Sequence, residues 1–508
     1  MSVLLNSTVR SVLEFHVRRC PAKTFLVFES AEGVVRDFTY QQFDERVNRT
    51  ANVLHSLGVG KGDQANVHLP NTPEFLLTWL ACAKLGAVMV ATDPRSTPEE
   101  HGYIVGHSES KVTVRRDASN EIVVESHAEA VGEPRSFDEL VEGASAEPPA
   151  LFPEPMDMLM MQYTSGTTSK PKGVLITHAA FLYGSRCIAE ATQLRSEDRH
   201  MVVLPLFHMA AQIHAVIPAL LVGASMLMTE RFSASRFFDQ ALAYDCTAAA
   251  LFGAPIRMIL NQPYKSEWRD NRLRYATYAQ NITGVQWDDW HDRFGVPLQQ
   301  LWGMTETVGL PLMNPLYGVR KPMSMGIPVP GYSAKVVSED GHEVPAGIVG
   351  EVIARGVPGR TIMSEYFRNP KATAETLRRN ECGEIWLHSG DRATVDEDGY
   401  FYFVDRAKDI IKRAGENIAS SEVEAVIKEH PNVLDATVVG VPDPVRDEAV
   451  KAFVILKDGE TVEVDEIIAW CGRKLNSFKV PEMVEFRDEF PRTSVGKIQK
   501  HLLRQRMD

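Results

Sequence analysis

Five of the six residues Thr164–Ser169 carry hydroxyls: Thr164, Ser165, Thr167, Thr168 and Ser169, with Gly166 among them. Lys170 and Lys172 follow, and the segment closes on Gly173. A polyphosphate offers many acceptor oxygens and several negative charges. Hydroxyl and amide donors on a loop relieved by glycine, with ammonium groups at its edge, match both. The alternative is a Ser/Thr/Gly linker. Position argues against it, because the stretch lies between two apolar runs, Met158–Tyr163 and Val174–Ile176. Its spacing is not the G-x-x-x-x-G-K-[ST] of a Walker A loop, which disfavours a P-loop ATPase or kinase. Nucleotide binding is therefore expected here.

The elements around this loop alternate. Asn66–Leu69 reads as a strand, Glu74–Leu85 as a helix with Phe75, Leu76, Trp79, Leu80 and Ala83 on one face, and Ala87–Ala91 as the next strand. Repetition of that order predicts α/β layers with mainly parallel pairing. Gly132–Pro155, rich in Glu, Pro, Ala and Ser, reads as a surface connection. Near residue 404 the pattern changes. The strand-like Tyr400–Val404 runs into the charges Asp405, Arg406, Lys408, Asp409, Lys412 and Arg413. Beyond them a helix is expected around Ser421–Glu429, strands near Ala436–Val441 and Lys451–Leu456, a helix around Asp465–Leu475 and a strand near Met483–Arg487. These make a small α+β domain.

A chain of 508 residues, 44% hydrophobic, is long enough for more than one packed unit. The formal charge of −13 argues against a broad electrostatic hold on nucleic acid or anionic lipid. It is uneven: Asp405–Asp508 has 17 basic and 20 acidic residues, net −3, against −10 for the rest. Cys20, Cys82, Cys187, Cys246, Cys382 and Cys471 stand singly, which suits reduced thiols in a cytoplasmic enzyme better than a disulfide frame or zinc site. No signal peptide is visible. Met209–Met228 has no formal charge over about the length that spans a bilayer. Gly223 divides it, so a buried helix followed by a strand is expected rather than a membrane span.

The hydroxyl-rich loop resembles the signature of the adenylate-forming superfamily, which includes acyl-CoA synthetases, peptide-synthetase adenylation domains and luciferases. The resemblance runs from about Thr24 to Lys497, with the family's motifs in order. It implies an α/β fold: a large N-terminal α/β domain of several subdomains, residues 1–404, and a small mobile C-terminal α+β domain, residues 405–508. It also implies activation of a small-molecule carboxylic acid with ATP and Mg²⁺ as an acyl-adenylate, then transfer to coenzyme A. No nucleic acid partner is implied, and a homodimer is an open expectation.

The same resemblance assigns roles. Thr164, Ser165, Gly166, Thr167, Thr168 and Lys172 would hold the nucleotide, with Thr168 also on the metal. Trp302-Gly-Met-Thr-Glu306 is similar to the aromatic-G-x-T-E motif, so Glu306 would help hold Mg²⁺, Thr305 contact phosphate and Trp302 pack near the adenine. Relatives usually carry Tyr at 302; Trp keeps the stacking surface and loses the phenol. Ser389-Gly-Asp391 resembles T-G-D, with Asp391 and Arg406 on the ribose and Asp405 as the hinge. Pro491-Arg-Thr-Ser-Val-Gly-Lys497 matches P-[RK]-T-x-x-G-K, placing Lys497 between the substrate carboxylate and the α-phosphate. Pro205-Leu-Phe-His208 is similar to P-x-F-H, which puts Phe207 and His208 at the acyl pocket and gives His208 a catalytic part alongside Lys497, Thr305 and Glu306. No Asp follows in Met209-Ala-Ala, which disfavours an α-amino acid. Lys412–Ile418 resembles the hairpin that walls the pantetheine tunnel, implicating Ala414, Gly415, Glu416 and Asn417, with Ala414 in place of a usual glycine.

One stretch departs from the family. Where relatives carry a small-residue S-G-G/A-A-P loop, this chain has Tyr278-Ala-Gln-Asn-Ile282, so Gln280 and Asn281 are expected in the acyl pocket. That Asn, with Gly356–Ile362 and Glu365-Tyr-Phe, resembles crotonobetaine/carnitine-CoA ligases. A betaine needs an anionic or aromatic cage; Phe207, Trp302 and Tyr278 suit a large apolar acid equally. The acid stays open. So do a ligase confined to thioester formation on a preformed adenylate, transfer to a carrier-protein pantetheine, and a non-catalytic nucleotide-binding module.

Overall fold

The structure, a computed structural model, describes residues 6–127, 133–164, 171–406, 409–413, 416–443, 446–492 and 498–505. The chain divides into two compact units. The first comprises Met1–Lys321, Gly326–Ala334 and Ala354–Leu387, the second Pro322–Met325, Lys335–Ile353 and His388–Asp508. Architecture is mixed α/β, with a large N-terminal and a small C-terminal part, as expected.

Two sheets build the first unit. A nine-stranded sheet runs Ile327–Pro328, Leu312–Met313, Leu298–Trp302, Tyr275–Ala279, Ala248–Phe252, Arg199–Val202, Ser225–Thr229, Thr24–Glu29, Val35–Thr39. Its six central strands, from Leu298–Trp302 to Thr24–Glu29, are all parallel. An eight-stranded sheet runs Glu365–Tyr366, Lys172–Thr177, Met158–Thr164, Val88–Ala91, Gln64–His68, Val112–Arg116, Ile122–Ser126, Arg135–Ser136. Met158–Thr164, Val88–Ala91, Gln64–His68 and Val112–Arg116 are its parallel core. Strands such as Ala248–Phe252 and Ser225–Thr229 are buried along their whole length, and apart from the terminal Ser225 and Thr229 they are apolar throughout.

The helix Pro73–Leu85 starts on proline and stops at Gly86, whose φ of 71° caps it in the left-handed region. Every one of its residues is buried, including Lys84. Burial lowers the Lys84 pKa, and the ammonium is compensated by Asp44 Oδ1 and Asn48 Oδ1, each at 2.6 Å.

Met209–Met228 divides at Gly223, as its composition suggested, into helical turns over Met209–Val222 and the strand Ser225–Thr229. Gln212–Val216 within it is a π-turn, which no periodicity announces. Among the described residues no helix is long and apolar enough to cross a membrane. Gly132–Pro155 is not loop throughout, because Phe137–Gly143 is a helix. Phe137 and Val141, four apart, share a face and are both buried, an apolar pair hidden in a polar composition.

The second unit holds a five-stranded sheet ordered Glu416–Ile418, Ile411–Arg413, Asp447–Leu456, Val433–Asp443, with Met483–Phe486 also on Asp447–Leu456. Helices Ser420–Lys428 and Val464–Gly472 contribute Val423, Ile427, Ile467 and Cys471 to the core against it. Also in this unit, the C-terminal half of Ile385–Val395 pairs antiparallel with Phe401–Arg406.

Candidate active site

The expected site residues of the first unit collect where parallel strands end. Leu298–Trp302, Tyr275–Ala279, Ala248–Phe252 and Arg199–Val202 are consecutive neighbours. Their carboxyl ends lead respectively to Trp302–Glu306, Gln280–Asn281, Gly253 and Pro205–His208. Sheet carboxyl ends are where open α/β folds bind ligands, because side chains from several strands converge there.

The hydroxyl-rich loop is flanked by two paired strands. Met158–Thr164 and Lys172–Thr177 are antiparallel, and Thr164 lies directly opposite Lys172. Ser165, Gly166, Thr167 and Thr168 lie outside the described residues. Tyr163 OH meets His107 Nδ1 at 2.6 Å, so the helix Pro98–Ser108 anchors the strand pair beside Thr164.

Glu306 is joined to this strand pair by a residue the motif reading passed over. Glu365–Tyr366 pairs antiparallel with the strand that starts at Lys172, Tyr366 opposite Val174. The Tyr366 phenol donates to Glu306 Oε1 at 2.6 Å, and Lys172 Nζ lies 4.2 Å from the centre of the same ring. Tyr366 and Glu306 are 3% and 5% exposed. Burial first, and the Glu306 charge next, push the phenol pKa up, so it remains a donor. Among the described residues the second Glu306 oxygen has no protein partner. A buried carboxylate with one oxygen held and one left over can serve as a protein ligand for a Mg²⁺ that takes most of its other ligands from phosphate and water. Sequence offered only a weak signal for Tyr366, the Glu-Tyr-Phe triplet.

The turn that carries Glu306 is strained. Val308, a β-branched residue, sits at φ 58°. Gly309 follows it against Gly184; a Cβ on Gly309 would lie 2.9 Å from the Gly184 Cα and collide with the Tyr332 hydroxyl. Close packing therefore fixes the Thr305–Thr307 turn. Thr305 is half-buried, and Trp302 closes its strand at 7% exposure.

Buried amides hold the Pro205–His208 segment. Asn71 donates to the Leu204 carbonyl (3.0 Å) and accepts from the Leu206 N–H (2.7 Å). Gln162, in the strand that leads into the hydroxyl-rich loop, donates to the Phe207 carbonyl at 2.9 Å, and Gln212 donates to Leu206 at 2.6 Å. Phe207 is buried and half-buried His208 lies against it, ring centres 5.0 Å apart. The π-turn begins four residues later.

At the 278–282 stretch, Gln280 adopts φ 73° and both Gln280 and Asn281 are half-buried. Gln300 donates to Asn281 Oδ1 at 2.5 Å, and the Tyr278 phenol donates to Gln300 Oε1 at 2.9 Å. Tyr278 is fully buried in the cluster of Phe238, Trp268, Trp290 and Phe294. Its ring thus belongs to the core and not to a pocket wall, because successive strand residues face opposite sides of the sheet.

The second unit brings together Asp391 and Arg406, which face each other across the antiparallel pair, with Arg406 Nε 3.5 Å from Asp391 Oδ1. Adjacent Asp405 is buried and accepts from the Ser420 hydroxyl at 2.6 Å. Burial raises its pKa, with the Lys500 charge opposing. Lys500 also pairs with Glu424 at 2.7 Å; burial alone would lower it, but Glu424 and Asp405 hold it raised. Ile411–Arg413 and Glu416–Ile418 form a hairpin, Arg413 opposite exposed Glu416 and Lys412 opposite Asn417. Ala414, Gly415, the Asn417 side chain and Lys497 lie outside the described residues.

Residues 13–367 match the family described as AMP-binding enzyme, and 422–497 match the AMP-binding enzyme C-terminal domain. The chain belongs to the AMP-binding enzyme family. This AMP-binding enzyme is 38% identical over 504 residues to a crotonobetaine/carnitine–CoA ligase of Salmonella enteritidis PT4, covering 95% of this chain and 96% of that one. Among solved structures it is similar to the anthranilate CoA ligase AuaEII in complex with anthranoyl-AMP (26% identity, TM-score 0.85, 98% and 97% of the chains covered). It is also similar to a benzoate CoA ligase from Burkholderia xenovorans LB400 (25% identity, TM-score 0.85, 98% and 100% covered). Within the family it is of the AMP-forming acyl-CoA ligase class.

Proposed function

We propose that the protein couples a carboxylic acid to coenzyme A in two steps, through an acyl-adenylate made from ATP. The observation that carries this reading is the convergence of Trp302, Glu306, Gln280, Asn281, Phe207 and His208 on the carboxyl ends of adjacent parallel strands, with Glu306 tied by Tyr366 to the strand Lys172–Thr177.

In the first step the acid carboxylate attacks the α-phosphorus and pyrophosphate leaves. Thr164, Ser165, Gly166, Thr167, Thr168, Lys172 and Thr305 bind the phosphates, Trp302 covers the adenine, and Asp391 and Arg406 take the ribose hydroxyls. Lys497 brings two anions together, the carboxylate and the α-phosphate, and its charge offsets the negative charge gathered as they meet. Mg²⁺, held by Glu306 and Thr168, would supply charge neutralisation for the departing pyrophosphate. His208 lies near the acid carboxylate. In the second step the small domain, residues 405–508 on this reading, turns about Asp405, and the coenzyme A thiol enters beside Ala414–Asn417. The thiol loses its proton to solvent, its sulfur bonds to the adenylate carbonyl carbon, and the bond from that carbon to the AMP phosphate oxygen breaks, giving the thioester and AMP.

The betaine acids named for the Salmonella relative are the first candidates, although Tyr278 lies in the core and so leaves Phe207 and Trp302 as the expected pocket aromatics. The test is acid-dependent release of pyrophosphate and AMP across a panel of carboxylates, then thioester formation on adding coenzyme A. If a synthetic acyl-adenylate gives thioester while no acid gives pyrophosphate, the enzyme performs only the second step. Failure of both refutes the ligase reading.

A further inference from the structure

The orientation of one amide in the candidate acyl site is fixed from the core, and this says what kind of acid the site accepts. Tyr278 is fully buried, and the only hydrogen-bond partner of its phenol among the described residues is Gln300, its neighbour across the parallel pair. A buried O–H must find an acceptor. Gln300 therefore turns Oε1 to the phenol, which aims its NH₂ at Asn281, where Oδ1 accepts at 2.5 Å. The reverse arrangement would set the Gln300 NH₂ against the phenol and leave the phenolic proton without an acceptor in the core. With Oδ1 occupied, Asn281 is left with Nδ2, which has no partner among the described residues and is not enclosed.

From this we infer that Asn281 presents N–H donors to the acid, so that the enzyme selects acids whose acyl portion carries a hydrogen-bond acceptor, a hydroxyl, ether or carbonyl oxygen, over bare hydrocarbon or a bare quaternary ammonium. This rests on the ligase reading and on the placement of Asn281 at the acyl pocket. The loop's packing favours the acid over the purine. The Asn281 carbonyl receives Arg257 Nη1 at 3.4 Å and lies 3.2 Å from where a Cβ on Gly253 would stand. Gly253 and Arg257 follow the strand Ala248–Phe252, on the side toward Arg199–Val202 and Pro205–His208 and away from Trp302. Tyr278 and Gln300 act through Asn281 and are positioning residues.

The experiment begins with ATP–pyrophosphate exchange over straight-chain, aromatic and betaine acids, each offered with and without a hydroxyl or keto group. For the best acid found, kcat/KM is compared with that of its analogue lacking the acceptor oxygen. Removing the acceptor is expected to cost the native enzyme about tenfold, the worth of one good neutral hydrogen bond, and less than twofold in N281L. N281D keeps the shape and the bond from Gln300 but turns its remaining oxygen outward as an acceptor, and should reverse the preference. Y278F, which frees Gln300 to turn, should weaken the preference while leaving ATP affinity, measured by calorimetry, unchanged. A best acid with no acceptor, or an equal loss in native enzyme and N281L, overturns the inference. So does a loss of ATP affinity in N281L without change in acid preference, which would place Asn281 on the purine. No exchange with any acid and no thioester from a synthetic adenylate would instead sink the ligase reading itself.

Discussion

Replacing Tyr366 with phenylalanine removes one hydroxyl and isolates the contact joining Glu306 to the strand Lys172–Thr177, proposed to lead out of the phosphate loop. The ring stays, and with it the packing of Lys172 at 4.2 Å. What is lost is a 2.6 Å bond to a carboxylate, with both partners buried. A hydrogen bond to a charged group contributes about 1.5–3 kcal/mol, and stripping one partner from a buried anion exposes the upper part of that range. Two consequences follow. The apparent melting temperature of Y366F falls, because the first unit loses about 2 kcal/mol. If Glu306 is also a metal ligand, Tyr366 orients that ligand, and loss of such an outer partner weakens metal affinity by roughly 10- to 100-fold. The assay is Mn²⁺ binding to the ATP complex by electron paramagnetic resonance, with the Mg²⁺ dependence of pyrophosphate release alongside. A lower melting temperature with unchanged Mn²⁺ affinity would confine Tyr366 to a structural role and refute the coupling to the metal.

Three further outcomes can be checked. D391A should raise the KM for ATP by about 10- to 100-fold, the loss of a charge-assisted bond to ribose, with little change in the KM for the acid; equal effects on both would contradict the ribose role. K500M should destabilise the second unit by about 2–3 kcal/mol, since it leaves buried Asp405 and half-buried Glu424 without their cation, and hydrogen exchange should show the loss concentrated around Ser420–Lys428. Acid should also destabilise the first unit. Burial depresses His178 and His200 to about 4 and His214 to about 3, so below pH 6.5 the unfolded chain binds protons that the folded chain refuses. Stability is full above pH 6.5 and falls toward pH 4, by on the order of 5 kcal/mol at pH 5; a melting temperature flat between pH 7.5 and 5 would exclude this.

The sequence made visible those residues whose chemistry is local. The hydroxyl-rich stretch reads as a loop between apolar runs, and those flanks are strands, paired antiparallel with Thr164 opposite Lys172. Trp302 and Glu306 share one short motif because one strand end and one turn carry both. The split at Gly223 was legible because a left-handed cap and a fully buried strand each leave a compositional mark. The helix Phe137–Gly143 was not, since one turn of apolar spacing is diluted by acidic neighbours. Tyr278 reads as pocket wall for a related reason. An aromatic beside a site looks like pocket wall until the strand's alternation is known, and here that alternation turns it into the core.

What no motif could announce is the layer of buried amides and phenols behind the candidate site. Asn71 reaches Leu204 and Leu206, Gln162 reaches Phe207, Tyr366 reaches Glu306, and Tyr278 sets Gln300 and thereby Asn281. The partners are separated by 19 to 135 residues in sequence, so no local pattern links them. Each is a polar group that burial would penalise unless it is paired, so substituting one disturbs a segment that carries a residue proposed to touch ligand. The groups proposed to meet ATP can be carried by a short motif because phosphate and ribose do not vary. Selection among acids falls to residues outside such motifs, and in this chain the residue proposed for that part is Asn281, whose amide is aimed from the core through two other side chains.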